Sequence, residues 1–340
     1  MQRKIIWLLL IFTGLYSCKE DNLLTSECAS PSVPQLSSFE YLNLSEALDS
    51  CYTFPPSGPI GYNETYEDTM YLNPFSNPNN PNQFVYAKHI ENNSFPKSKE
   101  LWKFDISTGE HSFVTDITSY QFRVGAWGES DWILLNSLSL NIWKVKPNGD
   151  SLTQITFDGG MYYPYWINNG TQIICSTTGA FGKRILDIEG QIIDTIEQLS
   201  VVVADNNGKV AGLINDPNFV DPKFGFMNLE SNEFTTLFIY DLDENGPIVT
   251  IDWLDDETII WTDHDVGIWS ININTLEKKL IKASCEDHRL YHASVIQDQS
   301  RNYLLLGRMV SHYTGANNLH AVRELSIFDL TTEVEQIINF

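Results

Sequence analysis

Basic residues are scarce in this chain of 340 residues, where 21 Lys and Arg stand against 44 Asp and Glu for a formal net charge of −23. Phosphate recognition needs clustered positive charge. Basic runs here are pairs such as Lys183-Arg184 and Lys278-Lys279, so no nucleic-acid partner is expected. The acidic residues are spread along the chain rather than blocked, which describes a soluble, self-repelling surface. None of the five cysteines forms a CxxC pair, which removes the usual thiolate zinc site. There is no GxSxG, so no nucleophile elbow of the serine-hydrolase kind is encoded. Residues 179–184 have the look of a phosphate loop but lack its first Gly and the Ser/Thr that should follow Lys183. Alanine is sparse as well, while Thr, Ile, Val, Tyr and Trp are plentiful and Asn, Gly and Pro punctuate the chain, a mixture that favours an all-β fold.

The N-terminus carries an address. Arg3 and Lys4 precede an apolar run from Ile5 to Phe12, followed by Thr13 and Gly14. This is the plan of a secretory signal, and the run falls short of the roughly 20 residues that span a bilayer. The next four residues, Leu15-Tyr16-Ser17-Cys18, resemble the bacterial lipobox, with Tyr16 departing from the commonest choice at its position. That resemblance implies a signal peptide over 1–17 and lipidation of Cys18, where several acyl chains anchor stably. The alternative is an ordinary signal with an incidental cysteine. Lys19-Glu20-Asp21 resembles the acidic tag that sends some lipoproteins to the outer face of the outer membrane. Residues 18–40, rich in Ser, Pro and Leu, read as a lipidated Cys and tether, and 41–67 as a segment packing on the domain that follows. An oxidising compartment permits disulfides, with Cys28 and Cys51 the expected pair. Cys175, inside Ile173-Ile174-Cys175, is expected to be a buried small hydrophobe.

From residue 68 onward the chain repeats itself. Tyr163-Pro164-Tyr165-Trp166-Ile167 runs through Asn168-Asn169-Gly170 into Gln172-Ile173-Ile174-Cys175-Ser176. Ile251-Asp252-Trp253 does the same into Thr258-Ile259-Ile260-Trp261, and Gly125-Ala126-Trp127 into Trp132-Ile133-Leu134-Leu135. Leu72-Asn73-Pro74-Phe75 leads through an Asn/Pro turn into Gln83-Phe84-Val85-Tyr86. Each unit is an aromatic-ended strand, a polar turn and a β-branched strand. A further strand follows in most units, at Leu101–Asp105, Ile142–Val145, Ile268–Ile271 and Leu325–Asp329. The spacing is 52 residues from Phe75 to Trp127, 39 from Trp127 to Trp166, and 87 from Trp166 to Trp253 and again from Trp253 to Phe340. A period of about 40–45 residues marks a propeller with four strands per blade. Six blades fit if units starting near Ser200 and Tyr291 lack the aromatic; seven would need the N-terminal segment.

These repeats resemble the TolB-like, WD-repeat-like propeller family over 68–340. The resemblance implies an all-β, six-bladed β-propeller of four-stranded antiparallel blades, preceded by the signal peptide and flexible tether. Trp102, Trp127, Trp143, Trp166, Trp253, Trp261 and Trp269 are then expected to pack blade on blade. Polar or backbone pairing between blades one and six, helped by residues 60–70, is expected to close the ring, because an open edge invites aggregation.

Few residues carry an obvious chemistry. His288 and His292 lie about 13 Å apart along a strand, too far to share an ion, and His312 and His320 fall on a later hairpin, so a histidine metal site could form only across blades. Asp241-Leu242-Asp243-Glu244-Asn245-Gly246 matches the start of an EF-hand-type loop, with Ile248 at its aliphatic position and Asp252 at its twelfth. Asp241, Asp243, Asn245, the carbonyl of Pro247 and Asp252 are therefore the candidate ligands for calcium, set against the plainer reading of an acidic hairpin turn. Propellers present ligands where inter-blade loops gather at a ring face, which here selects Tyr120, Phe122, Arg123, Tyr162, Tyr163, His288, Arg289 and Tyr291 as contact residues. No catalytic residue is assigned. The expected function is a non-catalytic binding or scaffolding module of the cell envelope, anchored to the outer membrane and holding a protein or glycan partner. The rival is an extracellular metal-assisted polysaccharide lyase or hydrolase.

Overall fold

A computed structural model describes residues 39–40 and 67–340, apart from 93–94, 120–122, 179–181, 198, 215–221, 241–246, 264–265, 285–287, 299–300 and 314–318. Cys18, Cys28 and Cys51 lie outside the described residues. The repeats fold into six sheets, each of four antiparallel strands hydrogen-bonded in chain order. The first strands are Glu67–Asn77, Arg123–Trp127, Met161–Ile167, Leu199–Asn206, Ile248–Trp253 and His288–Asp298. Each touches the next, and the last touches the first, so together they line the centre of a closed six-bladed propeller.

Side-chain alternation along the strands explains the burial. A blade has two faces, and each must be covered by a neighbour. Six apolar clusters result, one in each gap between successive blades. The tryptophans do what the repeats require of them: Trp127, Trp166, Trp253 and Trp261 are buried in these gaps, and Trp102, Trp143 and Trp269 pack partly buried against them. Cys175 is fully buried, and burial pushes its thiol up to about 12.

The turns have a local cause as well. In five blades the third strand ends near an Asp or Asn whose carboxylate or amide oxygen accepts backbone N–H groups of the following turn. These are Asp105, Asp187, Asn228, Asn272 and Asp329, each closing an Asx-type turn. All six first strands are bulged, with register shifts at Leu72/Phe75, Val124/Trp127, Tyr162/Tyr165, Ser200/Ala204, Ile248/Thr250 and Leu290/His292. A bulge twists a strand and interrupts its ladder, so the pairing of each first strand with its second is broken once or more.

Among the described residues no strand is exchanged between blades one and six. The seam is closed chiefly by aromatic and apolar packing rather than by the polar or backbone pairing that the sequence suggests. Phe340 stacks on Tyr71 with ring centroids 3.7 Å apart and meets Tyr86 edge-on at 5.0 Å. Phe84, Tyr86 and Phe104 pack on Leu305, Leu325 and Ile327. Side-chain-to-backbone hydrogen bonds assist, among them those from Ser76 Oγ to Val295 O, from Tyr291 Oη to Tyr71 O, and between His111 Nε2 and Asn339 O. Of the residues 60–70 that were expected to help, Glu67 onward extend the first strand of blade one, and 60–66 lie outside the described residues. Phe39–Glu40, read from sequence as the end of the tether, pairs with Val334–Ile338 as a fifth strand on blade six.

Candidate functional site

Strand order fixes where the loops go. Because each blade starts on its first strand and ends on its fourth, links between blades and second-to-third connections emerge on one face of the ring. The first-to-second and third-to-fourth turns occupy the other.

The short-turn face is stitched around the whole circle. Asn79 Nδ2 donates to Glu129 O, Trp166 Nε1 to Trp132 O, the Asn168 amide to Asp205 Oδ2, and Trp253 Nε1 to Ala204 O. The Val295 amide donates to Asp252 Oδ2, and Ser76 Oγ returns to Val295 O. Every blade junction therefore carries at least one hydrogen bond there. Burial raises Asp205 and Asp252 to about 6, although backbone N–H donors partly offset the effect. Their folded-state values lie above those of the unfolded chain. Their contribution to stability is therefore present at low pH and is lost as the pH rises through about 6.

Of the residues selected from sequence, several of the described ones lie toward the loop face. Arg123, Tyr162, Tyr163 and Arg289 sit at the entries of the first strands of blades two, three and six. Arg123 Nη1 donates to Tyr163 Oη at 3.2 Å, and the Tyr162 and Tyr163 rings meet edge-on at 5.0 Å. Tyr163 is 50% exposed. It occupies the bulge with a φ of +51°, a conformation that costs a bulky residue free energy. Tyr291 has turned inward: its hydroxyl is spent on Tyr71 O, burial raises its pKa above the ordinary value, and Arg323 lies over its ring at 5.2 Å. Tyr120 and Phe122 lie outside the described residues, and for His288 only the backbone is described.

Of the expected calcium ligands, Asp241, Asp243 and Asn245 also lie outside the described residues. Pro247 is exposed on the loop face. Asp252 sits further along its strand, where both carboxylate oxygens accept backbone N–H groups, from Trp253 and Val295. That engagement belongs to the junction of blades five and six. Among the described residues no three His, Cys, Asp or Glu side chains gather as metal ligands.

Two features were missed from sequence. The first three strands of blades one and six have 11–13 residues, against 2–8 in blades two to five. Their second-to-third hairpins therefore rise above the loop face. The signal was present in the 52-residue gap between Phe75 and Trp127, against 39 for the next unit. The second missed feature is a set of positive charges around His89, on the blade-one hairpin. His89 is buried with Nε2 unpartnered, and burial, aided by Lys99, Arg323 and Arg123, lowers its pKa to about 3. His292, buried at the seam against Phe75, is lowered to about 4 by burial, which the hydrogen bond with the Pro74 backbone partly opposes. Both imidazoles are therefore expected to remain neutral at pH 5, read as imidazole carbon shifts in an NMR titration; midpoints near 6.5 would contradict their burial. The stability they contribute is present above about 6.5 and is lost as the pH falls toward their folded-state values.

No family model matches the chain, and no curated protein matches it. Solved structures do. A chain of a nidogen/laminin complex superposes with a TM-score of 0.50 at 11% identity, over 79% of this chain and 92% of that one. An acylaminoacyl peptidase of Pyrococcus horikoshii superposes with a TM-score of 0.50 at 9% identity, over 80% of this chain and 53% of the peptidase. TolB from Acinetobacter baumannii gives a TM-score of 0.44 at 10% identity, over 71% of this chain and 65% of TolB. At such identities the likeness is one of fold, the β-propeller.

Proposed function

We propose that the chain is a non-catalytic binding module of the cell envelope. On this reading it is anchored through Cys18, and its loop face holds a protein or glycan partner. The observation that carries the reading is the asymmetry of the two faces. One is a girdle of short turns stitched at all six junctions. The other gathers the long connections together with Arg123, Tyr162, Tyr163 and Arg289. Tyr and Arg are the side chains that most often anchor an interface. A rigid ring beneath them lowers the ordering cost of binding. The nidogen/laminin propeller, seen in a complex, suits the same reading.

Crosslinking and capture from membranes of the native cell tests it. A partner held by the wild-type chain is expected to be lost in Tyr162→Ala/Tyr163→Ala, with the melting temperature of the ring unchanged. Equal capture by both chains, or turnover of a polysaccharide by the purified protein, would overturn the proposal.

A further inference from the structure

We infer that the outer rim of the gap between blades four and five is a site for a small trimethylammonium solute of the choline kind. An aromatic cage of Phe238, Trp261 and Trp269 receives the cation. The site lies on the rim of the ring rather than on its loop face, so it stands or falls apart from the binding-module reading.

A cation of the protein itself marks the cage. Lys278 is exposed at the start of the outer strand of blade five. Its Nζ lies 4.3 Å from the ring centroid of Trp269, 5.1 Å from that of Phe238 and 5.5 Å from that of Trp261. All three distances fall inside the roughly 6 Å over which a ring quadrupole attracts a positive charge. Among the described residues, Lys88, Lys144, Lys146, Lys209 and Lys282 also lie over rings, but each meets one ring only.

Two blades build the cage. Trp261 and Trp269 are register partners on the second and third strands of blade five, their rings 12° from parallel with centroids 6.3 Å apart. Phe238, on the outer strand of blade four, faces them from across the gap, 5.5 Å from Trp261. Trp261 is fully buried and forms the floor, while Trp269 and Phe238 are partly exposed walls. Leu280 pairs with Trp269 and is exposed, which adds an apolar lip beside Lys278.

Ordinary core packing treats tryptophan differently elsewhere in the ring. Trp102, Trp127, Trp166 and Trp253 each give their indole N–H to an oxygen. The Nε1 groups of Trp261 and Trp269 are buried with no acceptor among the described residues, although an unmet buried donor costs free energy. Here the ring faces, not the polar atoms, are what the arrangement uses.

The chemistry of the cage selects the ligand. A formal charge of −23 draws cations to the surface and repels anions. Metal cations of the calcium or magnesium type want oxygen ligands, and no cage side chain carries one. A Lys ammonium is compact and strongly hydrated, so it gives up water to sit among rings. A quaternary nitrogen carries methyl groups in place of N–H donors, loses less on leaving water, and meets apolar surface on every side. Lys278 is exposed, so its ammonium can swing out into solvent when a better cation arrives.

Calorimetric titration of the full chain at constant ionic strength tests the inference with two probes. One is choline; the other is its neutral isostere, in which a tert-butyl group replaces the trimethylammonium. Choline is expected to bind at least about tenfold tighter than the isostere, the effect of a desolvated cation–π contact. Lys278→Met keeps an apolar stem but removes the competing ammonium, and should tighten choline binding by about three- to tenfold. Trp269→Leu should abolish binding. Trp269→Phe, which keeps a ring, should weaken it without abolishing it and shows that blade five still folds. Equal binding of the two probes, no gain in Lys278→Met, or choline binding that survives Trp269→Leu would each overturn the inference. So would binding by Lys278→Met alone, because the cage would then be only the seat of its own lysine.

Discussion

Trp253→Ala is expected to cost about 3–5 kcal/mol of unfolding free energy, the range for emptying a buried tryptophan site. Trp253 is 1% exposed at the end of the first strand of blade five, inside the cluster shared with blade four. Its ring meets Phe226 at 6.0 Å, and its Nε1 donates to Ala204 O at 3.0 Å. Alanine would leave a cavity and orphan a buried carbonyl. Trp253→Phe keeps most of the packing and loses the hydrogen bond, so a smaller loss of about 1–3 kcal/mol is expected. Denaturant unfolding followed by fluorescence and by far-ultraviolet dichroism measures both. The midpoint should fall while the slope stays the same. A change within about 0.5 kcal/mol for the alanine variant, typical of surface sites, would mean that the blade four–five junction does not hold the ring.

The second large effect is expected at Glu335 on the outermost of the four repeat strands of blade six. Its carboxylate bonds Arg308 at 3.2 Å, Lys282 of blade five at 3.0 Å, and the Ser326 hydroxyl. Arg308 is 2% exposed. Burial alone would raise the pKa of Glu335, but Lys282 and Arg308 hold it well below the ordinary carboxylate range. Its stabilising contribution is therefore present at neutral pH and is lost as the pH falls below the ordinary glutamate value toward the folded-state one. Glu335→Gln leaves buried Arg308 with only the longer contact to Glu324, at 3.7 Å, and is expected to cost about 3–5 kcal/mol. The triple replacement Lys282→Met/Arg308→Met/Glu335→Leu removes all three charges and should recover most of that loss. Equal destabilisation of the single and triple variants would show that packing at these positions, rather than charge balance, sets the stability.

The fold was legible wherever an aromatic ended a first strand. Trp127, Trp166 and Trp253 mark their blades because a large ring at that height fills the gap to the preceding blade. The units without the aromatic, starting at Leu199 and His288, followed from spacing alone. Closure of the ring was not legible, because Tyr71 and Phe340 are remote in sequence and nothing local marks them as partners. Much the same divides the candidate site. Arg123 and Tyr163 were identified from their place in inter-blade loops, and they meet. Tyr291 was chosen on the same ground, but its hydroxyl turns to the backbone of blade one. Arg323 escaped notice because it lies on a third strand, and only the height of the blade-six hairpin brings it to the loop face. His89 escaped because it lies on the second strand of blade one rather than in an inter-blade loop.

The seam between blades one and six also sets an order of events in folding. Each blade is a run of local hairpins, and such contacts form early at little cost in loop closure. The seam joins residues about 220 positions apart, as in the bonds from Ser76 to Val295 and from Tyr291 to Tyr71. It is therefore the last junction able to form, and until it does both blades expose the apolar faces that will meet there. A horseshoe of six blades joined at five junctions, with both end faces open, is the natural intermediate, prone to pair with a second copy rather than with itself. Variants that weaken the seam should accordingly lower the yield of refolding at high protein concentration well before they lower the melting temperature.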